Sequence, residues 1–185
     1  MVTLTSRVRP PWEDAHFVGG HLVLDLTNTV FDRTLPAGED VELLRTPSDV
    51  LSWCLSAGLF DEAPDPVAGA LVTETRTVRE QAWAVFDTIA RGGAAPAGPF
   101  GALLERAGKG LRASAGWAAP GAIPAALALQ AVEAVFTLPP ARIRACGRCG
   151  WLFLDSSRGG RRRWCSMSIC GNREKARRHR QNLTS

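Results

Sequence analysis

Four of the five cysteines in this chain form two short-spaced pairs near its C-terminus: Cys146-Gly-Arg-Cys149 and, fifteen residues later, Cys165-Ser-Met-Ser-Ile-Cys170. A short-spaced pair folds into a tight knuckle that aims two thiolates at one point. The pattern C-x2-C, then C-x4-C, therefore predicts a single tetrahedral zinc site. Disulfides or unlinked buried thiols are the alternatives. The N-terminus, Met1-Val-Thr-Leu-Thr-Ser-Arg-Val-Arg-Pro-Pro, lacks the apolar stretch of a secretory signal, and a reducing compartment disfavours cystines. Four thiolates leave no coordination position for water or substrate, so one structural Zn2+ is expected. A module of about forty residues also buries too little apolar surface to fold without such a staple.

The residues around the cysteines supply the rest of a finger. Leu152-Phe-Leu154 alternates and reads as a strand, and Asp155 to Gly160 is turn composition. Arg161 to Cys165 is expected to return as the second strand of a hairpin. A helix then begins near Ser166, with Ser166 or Ser168 as N-cap. Knuckle, hairpin and ligand-bearing helix, in that order, make a treble-clef or ribbon-like finger.

These residues also carry a family resemblance. Cys146-x-x-Cys149-x-x-Phe153-x-Asp155-x-Ser157-Arg158, then Arg163-Trp164-Cys165-Ser166-Met167, then Cys170-Gly171-Asn172-Arg173-x-Lys175, resembles the CGNR zinc finger, named for its last tetrapeptide. Gly20-His21-Leu-Val-Leu24-Asp25-Leu-Thr-Asn28-Thr29 is similar to the opening motif of the ABATE domain, which usually precedes that finger in stress-induced transcription regulators. The resemblance implies a bacterial transcription regulator. It implies no particular effector or operator.

Charge is divided unevenly. From Ala141 to the end there are 12 Arg/Lys against 2 Asp/Glu, a net +10; the chain totals of 22 and 18 leave 10 against 16 in residues 1–140, a net −6. An acidic body with a basic appendage is the asymmetry of a nucleic-acid-binding module, a solvated basic face being the alternative. On a helix Arg173, Arg177 and Arg180 share one side, flanked by Lys175 and Arg178, while Arg161, Arg162 and Arg163 form a second cluster. We expect the helix to meet a groove and the second cluster to hold phosphates. Trp151 and Trp164 are expected in the finger's small core. Asn172 and Arg173 have a structural alternative, in which Asn172 bonds the knuckle backbone and Arg173 pairs with Asp155.

Residues 1–140 read as a mainly helical domain, and residues 141–185 as the finger, an α+β chain overall. Residues 1–14 are polar, with Pro10-Pro11, and are expected to form a mobile or draping arm. A helix is expected over about Gly20 to Val30, where Asp25 and Asn28 lie one turn apart and either face a ligand pocket or bond neighbouring backbone. Asp32 to Glu42 reads as a polar loop. Thr46-Pro47 starts a helix that stops at Gly58 and buries Cys54 as an inert thiol. Asp65-Pro66 opens a long helix to about Arg91, with Val67, Leu71, Val78, Ala82, Val85, Phe86 and Ile89 at helical spacing. After the breaker-rich stretch from Gly92 to Pro99, a helix runs from Phe100 to about Leu111, with Phe100, Leu103, Leu104, Ala107 and Leu111 on one face. A hairpin over Gly110 to Ala119 follows. Pro124 to Thr137 is a last apolar helix, carrying Leu127, Leu129, Val132, Val135 and Phe136 and ended before Pro139-Pro140.

No nucleophile elbow, phosphate-binding loop, dinucleotide fingerprint or zinc-protease motif is present, and the three histidines are scattered. The expected protein is therefore not an enzyme but a cytoplasmic DNA-binding regulator, whose N-terminal domain senses a small-molecule effector or forms a homodimer. No apolar run reaches the roughly twenty residues of a membrane span. An RNA- or ribosome-associated zinc module and a protein-interaction adaptor are the alternatives.

Overall fold

A computed structural model of the chain describes residues 12–38, 40–61, 69–113 and 122–183. Among the described residues five helices form the body: α1 (Leu22–Thr27), α2 (Pro47–Ser56), α3 (Leu71–Ala90), α4 (Ala97–Ala113) and α5 (Ile123–Thr137). The finger adds β1 (Ile143–Ala145), β2 (Leu152–Leu154) and α6 (Asn172–Leu183). Among the described residues no helix is long and apolar enough to cross a membrane.

Local signals set several of these elements. Thr46 caps α2 in a reciprocal box, its hydroxyl accepting from Asp49 N while Asp49 accepts from Thr46 N, and Pro47 occupies the first turn. The stripe Leu71, Val78, Ala82, Val85, Phe86, Ile89 of α3 is buried and packs on α1, α4 and α5. Trp53 and Cys54 of α2 lie in the same core, and burial pushes the Cys54 thiol up to about 12.

Several expectations change. The predicted hairpin from Gly110 is overtaken at residues 110–113, which continue α4, and its remainder lies outside the described residues. The expected start of the long helix at Asp65-Pro66, with Val67, also lies outside them, as do residues 1–11 of the arm. Trp12, in the part of the arm that is described, lies on the body rather than free of it: its indole donates to Ser52 Oγ at 3.1 Å and to Asp49 O at 3.3 Å. Leu104 and Leu111 of α4, and Leu129 and Phe136 of α5, are exposed. An apolar stripe wider than the available core leaves its margins in solvent. The loop before α2 is not uniformly polar at the surface either. Glu42 is buried and forms a bidentate pair with Arg79 (2.6 and 2.8 Å), while accepting from Leu44 N at 2.8 Å.

The largest change concerns the hairpin of the finger. β2 pairs antiparallel with β1, in the register Ile143–Leu154, Arg144–Phe153, Ala145–Leu152, so the first knuckle is itself the hairpin turn. Arg161 to Cys165 forms no strand; its backbone contact to the knuckle is the bond from Gly147 N to Arg163 O at 3.0 Å. The C-x2-C turn already reverses the chain and brings its own flanks together, and β2's other edge is taken by the body. There Leu154 N donates to Gly19 O at 2.8 Å, and Leu152 exchanges two bonds with the Asn28 side chain. Alternation along β2 then joins two cores, since Leu152 belongs to the body's cluster and Phe153 to the finger's.

Candidate metal centre

The first knuckle closes because Gly150 N donates to Cys146 O at 3.0 Å and Gly150 adopts φ +70°, a conformation L side chains rarely take. A Cβ there would also approach Arg33 Cβ at 2.8 Å. The second pair spans a wide turn, Met167–Gly171, in which Gly171 N reaches back five residues to Ser166 O at 3.0 Å. Ser166 caps it, accepting from Ile169 N at 3.3 Å. At Gly171 the space is close: a Cβ would meet Trp164 Cδ1 at 3.4 Å and would displace the flexible end of exposed Met167, whose Sδ lies at 2.8 Å.

Together these turns gather all four sulfurs. Cys149, Cys165 and Cys170 are mutually 3.6 to 3.7 Å apart, and the four sulfurs of Cys146, Cys149, Cys165 and Cys170 all lie within 4.8 Å of one another. A disulfide would place two of them about 2 Å apart. A tetrahedron with Zn–S bonds of about 2.3 Å places sulfurs about 3.8 Å apart, which is the size of this cage. All four cysteines are buried and free. Hydrogen bonds from Cys149 and Cys165 draw the Cys146 pKa down, and the thiolate so favoured holds Cys149 and Cys165 up. Filling the cage with a dication requires the remaining protons to leave. The donor set fits one structural zinc ion and offers no open position for catalysis.

The cage is embedded in a small core of Phe153, with Val18, Trp151, Trp164 and Ile169 packed against it. Trp151 does more than fill space, because its indole donates to Val30 O at 2.7 Å and ties the finger to the body. Arg33 N to Cys149 O, at 2.8 Å, is a second tie.

The basic residues divide by role. Arg162 lies over the Phe153 ring at 4.8 Å and donates to Cys165 O at 2.6 Å, so it holds the finger's own fold. Arg163 sits over Trp164 at 5.4 Å, and Arg161 is exposed. On α6, Arg173, Lys175, Arg177, Arg178 and Arg180 are all exposed. Arg177 grips Glu174 with two bonds of 2.7 and 2.9 Å, and Arg178 adds a third at 3.0 Å. These hydrogen bonds, Arg177 first, pull the Glu174 pKa down to about 2.

The expected ion pair between Arg173 and Asp155 is not formed. Asp155 is buried and turned into its own loop, its carboxylate accepting from Ser157 N at 3.0 Å and Arg162 N at 2.8 Å. Hydrogen bonding from the Ser157 side chain, and after it from the Arg162 and Ser157 backbone N–H groups, pulls its pKa down to about 2. Asn172 does bond finger backbone, donating to Ser168 O at 3.2 Å.

Asp25 and Asn28 lie on the body side of the finger and face backbone rather than a ligand pocket. Asp25 Oδ1 accepts from Gly19 N at 2.7 Å, and burial raises its pKa to about 7. Asn28 Nδ2 donates to Leu152 O at 2.8 Å, while its Oδ1 accepts from Leu152 N at 2.9 Å. The pair reads the edge of β2 as a strand would. One basic residue near the cage escaped the sequence reading: Arg148, between the two ligands of the first knuckle and half-buried. Its position inside C-x2-C was the available signal.

Comparison with known families agrees with this geometry. The CGNR zinc finger matches residues 142–182. The ABATE family, described as "Putative stress-induced transcription regulator", matches residues 20–145. No curated protein and no solved structure matches the chain.

Proposed function

The chain belongs to the ABATE family, described as "Putative stress-induced transcription regulator", and carries a CGNR zinc finger over residues 142–182, and from that premise we propose that it regulates transcription by binding DNA through the finger. The observation that carries this reading is the rooting of α6. Its first turn follows directly on Cys170, a ligand of the zinc cage, and its exposed surface bears Arg173, Lys175, Arg177, Arg178 and Arg180. Zinc makes the start of that helix rigid, so its arginines are presented in a fixed array rather than on a loose tail. Guanidinium forks suit phosphate oxygens and the guanine edge alike. Glu174 keeps Arg177 and Arg178 ordered in place. The acidic body, net −6 over residues 1–140, does not compete for the same polyanion.

The body takes the sensory or dimerising role, and the protein is not an enzyme on this reading. A reducing cytoplasm is the compartment that keeps four thiolates available to zinc.

The reading is tested by anisotropy of a labelled DNA duplex titrated with zinc-loaded protein over a salt series. Contact with several phosphates makes log K fall linearly with log salt, by about 0.9 per phosphate. Arg177→Ala combined with Arg178→Ala should weaken binding and flatten that slope by roughly 2, with one zinc per chain retained. Unchanged affinity in that variant would leave the finger as a staple for protein contacts. Preferential competition by structured RNA would move the partner to RNA.

A further inference from the structure

Between finger and body lies a mostly apolar cavity of about 260 Å³. Val18, Phe31 and Leu43 line it from the body, and Trp151 and Ile169 from the finger. Cys149, Cys165 and Cys170 border it at the metal cage. The volume is many times that of one ion and extends to body residues remote in sequence from either knuckle, so it is more than the seat of the zinc.

Two cations border the same space, Arg148 from the first knuckle and Arg173 from the first turn of α6. Among the described residues neither has an ion-pair or hydrogen-bond partner. Other arginines nearby are engaged: Arg177 and Arg178 by Glu174, Arg162 by Cys165 O, and Arg33 by Glu80 at 2.6 Å. The lining acid, Asp32, forms no ion pair with either among the described residues; its Oδ1 accepts from Thr34 N at 2.8 Å and Thr34 Oγ1 at 2.6 Å. His16 Nδ1 is likewise taken, accepting from Glu13 N at 3.1 Å. Phe31 leaves 56% of its surface exposed beside this space.

We propose that the junction cavity binds a small organic carboxylate with an aromatic or branched apolar body. Arg148 and Arg173 hold the carboxylate, and Phe31, Trp151 and Ile169 receive the apolar part. A concave apolar site with a few convergent polar groups is the usual form of a small-molecule pocket, and the guanidinium fork matches a carboxylate. A phosphodiester backbone would use the two arginines but gain little from the apolar wall; a carboxylate with an apolar body uses both. The occupant touches finger and body at once, so any preference for one relative placement shifts the presentation of α6. That consequence rests on the DNA-binding reading; the binding itself does not.

The test is isothermal titration of the zinc-loaded full chain with benzoate, phenylacetate and 4-methylpentanoate, each against its primary amide. At least one carboxylate should bind one to one, about tenfold or more tighter than its amide. Arg148→Ala and Arg173→Ala should each weaken it about tenfold, and Phe31→Ala several-fold, while Arg177→Ala leaves it unchanged and all variants keep their zinc. Absence of binding by all three carboxylates at about 10 mM overturns the proposal. So does binding that is indifferent to both arginine substitutions. If no carboxylate binds while Arg148→Ala and Arg173→Ala lose duplex affinity, the two arginines belong to the nucleic-acid face. Because the titrations contain no DNA, failure here and failure of the DNA-binding reading are seen separately.

Discussion

Replacing Asn28 with alanine would test how body and finger are joined. Asn28 is 2% exposed and satisfies both backbone groups of Leu152, itself fully buried, on the edge of β2 that β1 does not use. Alanine leaves that N–H and that carbonyl without a partner and without water. Each buried orphan costs roughly 1–3 kcal/mol, so the loss from two should be about 2–6 kcal/mol. Total stabilities are about 5–15 kcal/mol, which makes this a large fraction of the whole. At about 2–4 °C per kcal/mol for a chain of this size, a loss near 3 kcal/mol lowers the melting temperature by about 6–12 °C. The assay is urea unfolding of zinc-loaded protein, extrapolated linearly, with the melting curve as a second measure. Asn28→Asp is the informative companion. It keeps the acceptor but loses the donor and turns a carboxylate onto Leu152 O, so at pH 7.5 it should be at least as destabilised as the alanine variant. An Asn28→Ala protein within about 0.5 kcal/mol of the parent, the range of an ordinary surface change, would refute the argument that this side chain holds the two parts together.

Cys170→Ser should abolish stoichiometric zinc, and chelation of the parent should do the same; in both, loss of helical circular dichroism from α6 is the expected readout. Glu42→Ala takes the bidentate partner from buried Arg79, which keeps Glu80 at 2.7 Å and Thr29 O at 3.2 Å, so it should cost less than the roughly 3–5 kcal/mol of a buried charge left wholly unpaired, yet more than about 1 kcal/mol, in the same urea assay. Asp25 adds a pH dependence. Its folded pKa of about 7 exceeds the ordinary 3.8, so the native state binds this proton more tightly than the unfolded chain. Stability from this group is full below about pH 4 and lost as pH rises through about 7. Asp25→Asn removes that term, and its stability relative to the parent should grow between pH 4 and 7 by up to about 4 kcal/mol. A difference flat with pH would contradict the buried-carboxyl assignment.

Ligand identity, the helical character of the body and the basic finger were all legible in the chain before any coordinates. Cysteine spacing is a local geometric constraint, and helical caps and periodicity act within a few residues, as Thr46-Pro47 illustrates. What pairs with what was not legible. Leu152-Phe-Leu154 reads as a strand from its alternation, but nothing in that alternation says which segment lies beside it. The knuckle made its own flank the partner, and Asn28, 124 residues away, took the other edge. Asp155 and Arg173 carry opposite charges at a plausible separation in sequence. Only the folded loop, whose backbone donors surround Asp155, decides that they do not meet. Likewise Arg148 and Arg173 were two arginines among many until the packing of finger on body left them beside one cavity, without a partner among the described residues. The chain alone determined that four sulfurs would share an ion, because that outcome depends on short loops. The join between body and finger depends on contacts closed over more than a hundred residues, and those the tertiary structure alone decided.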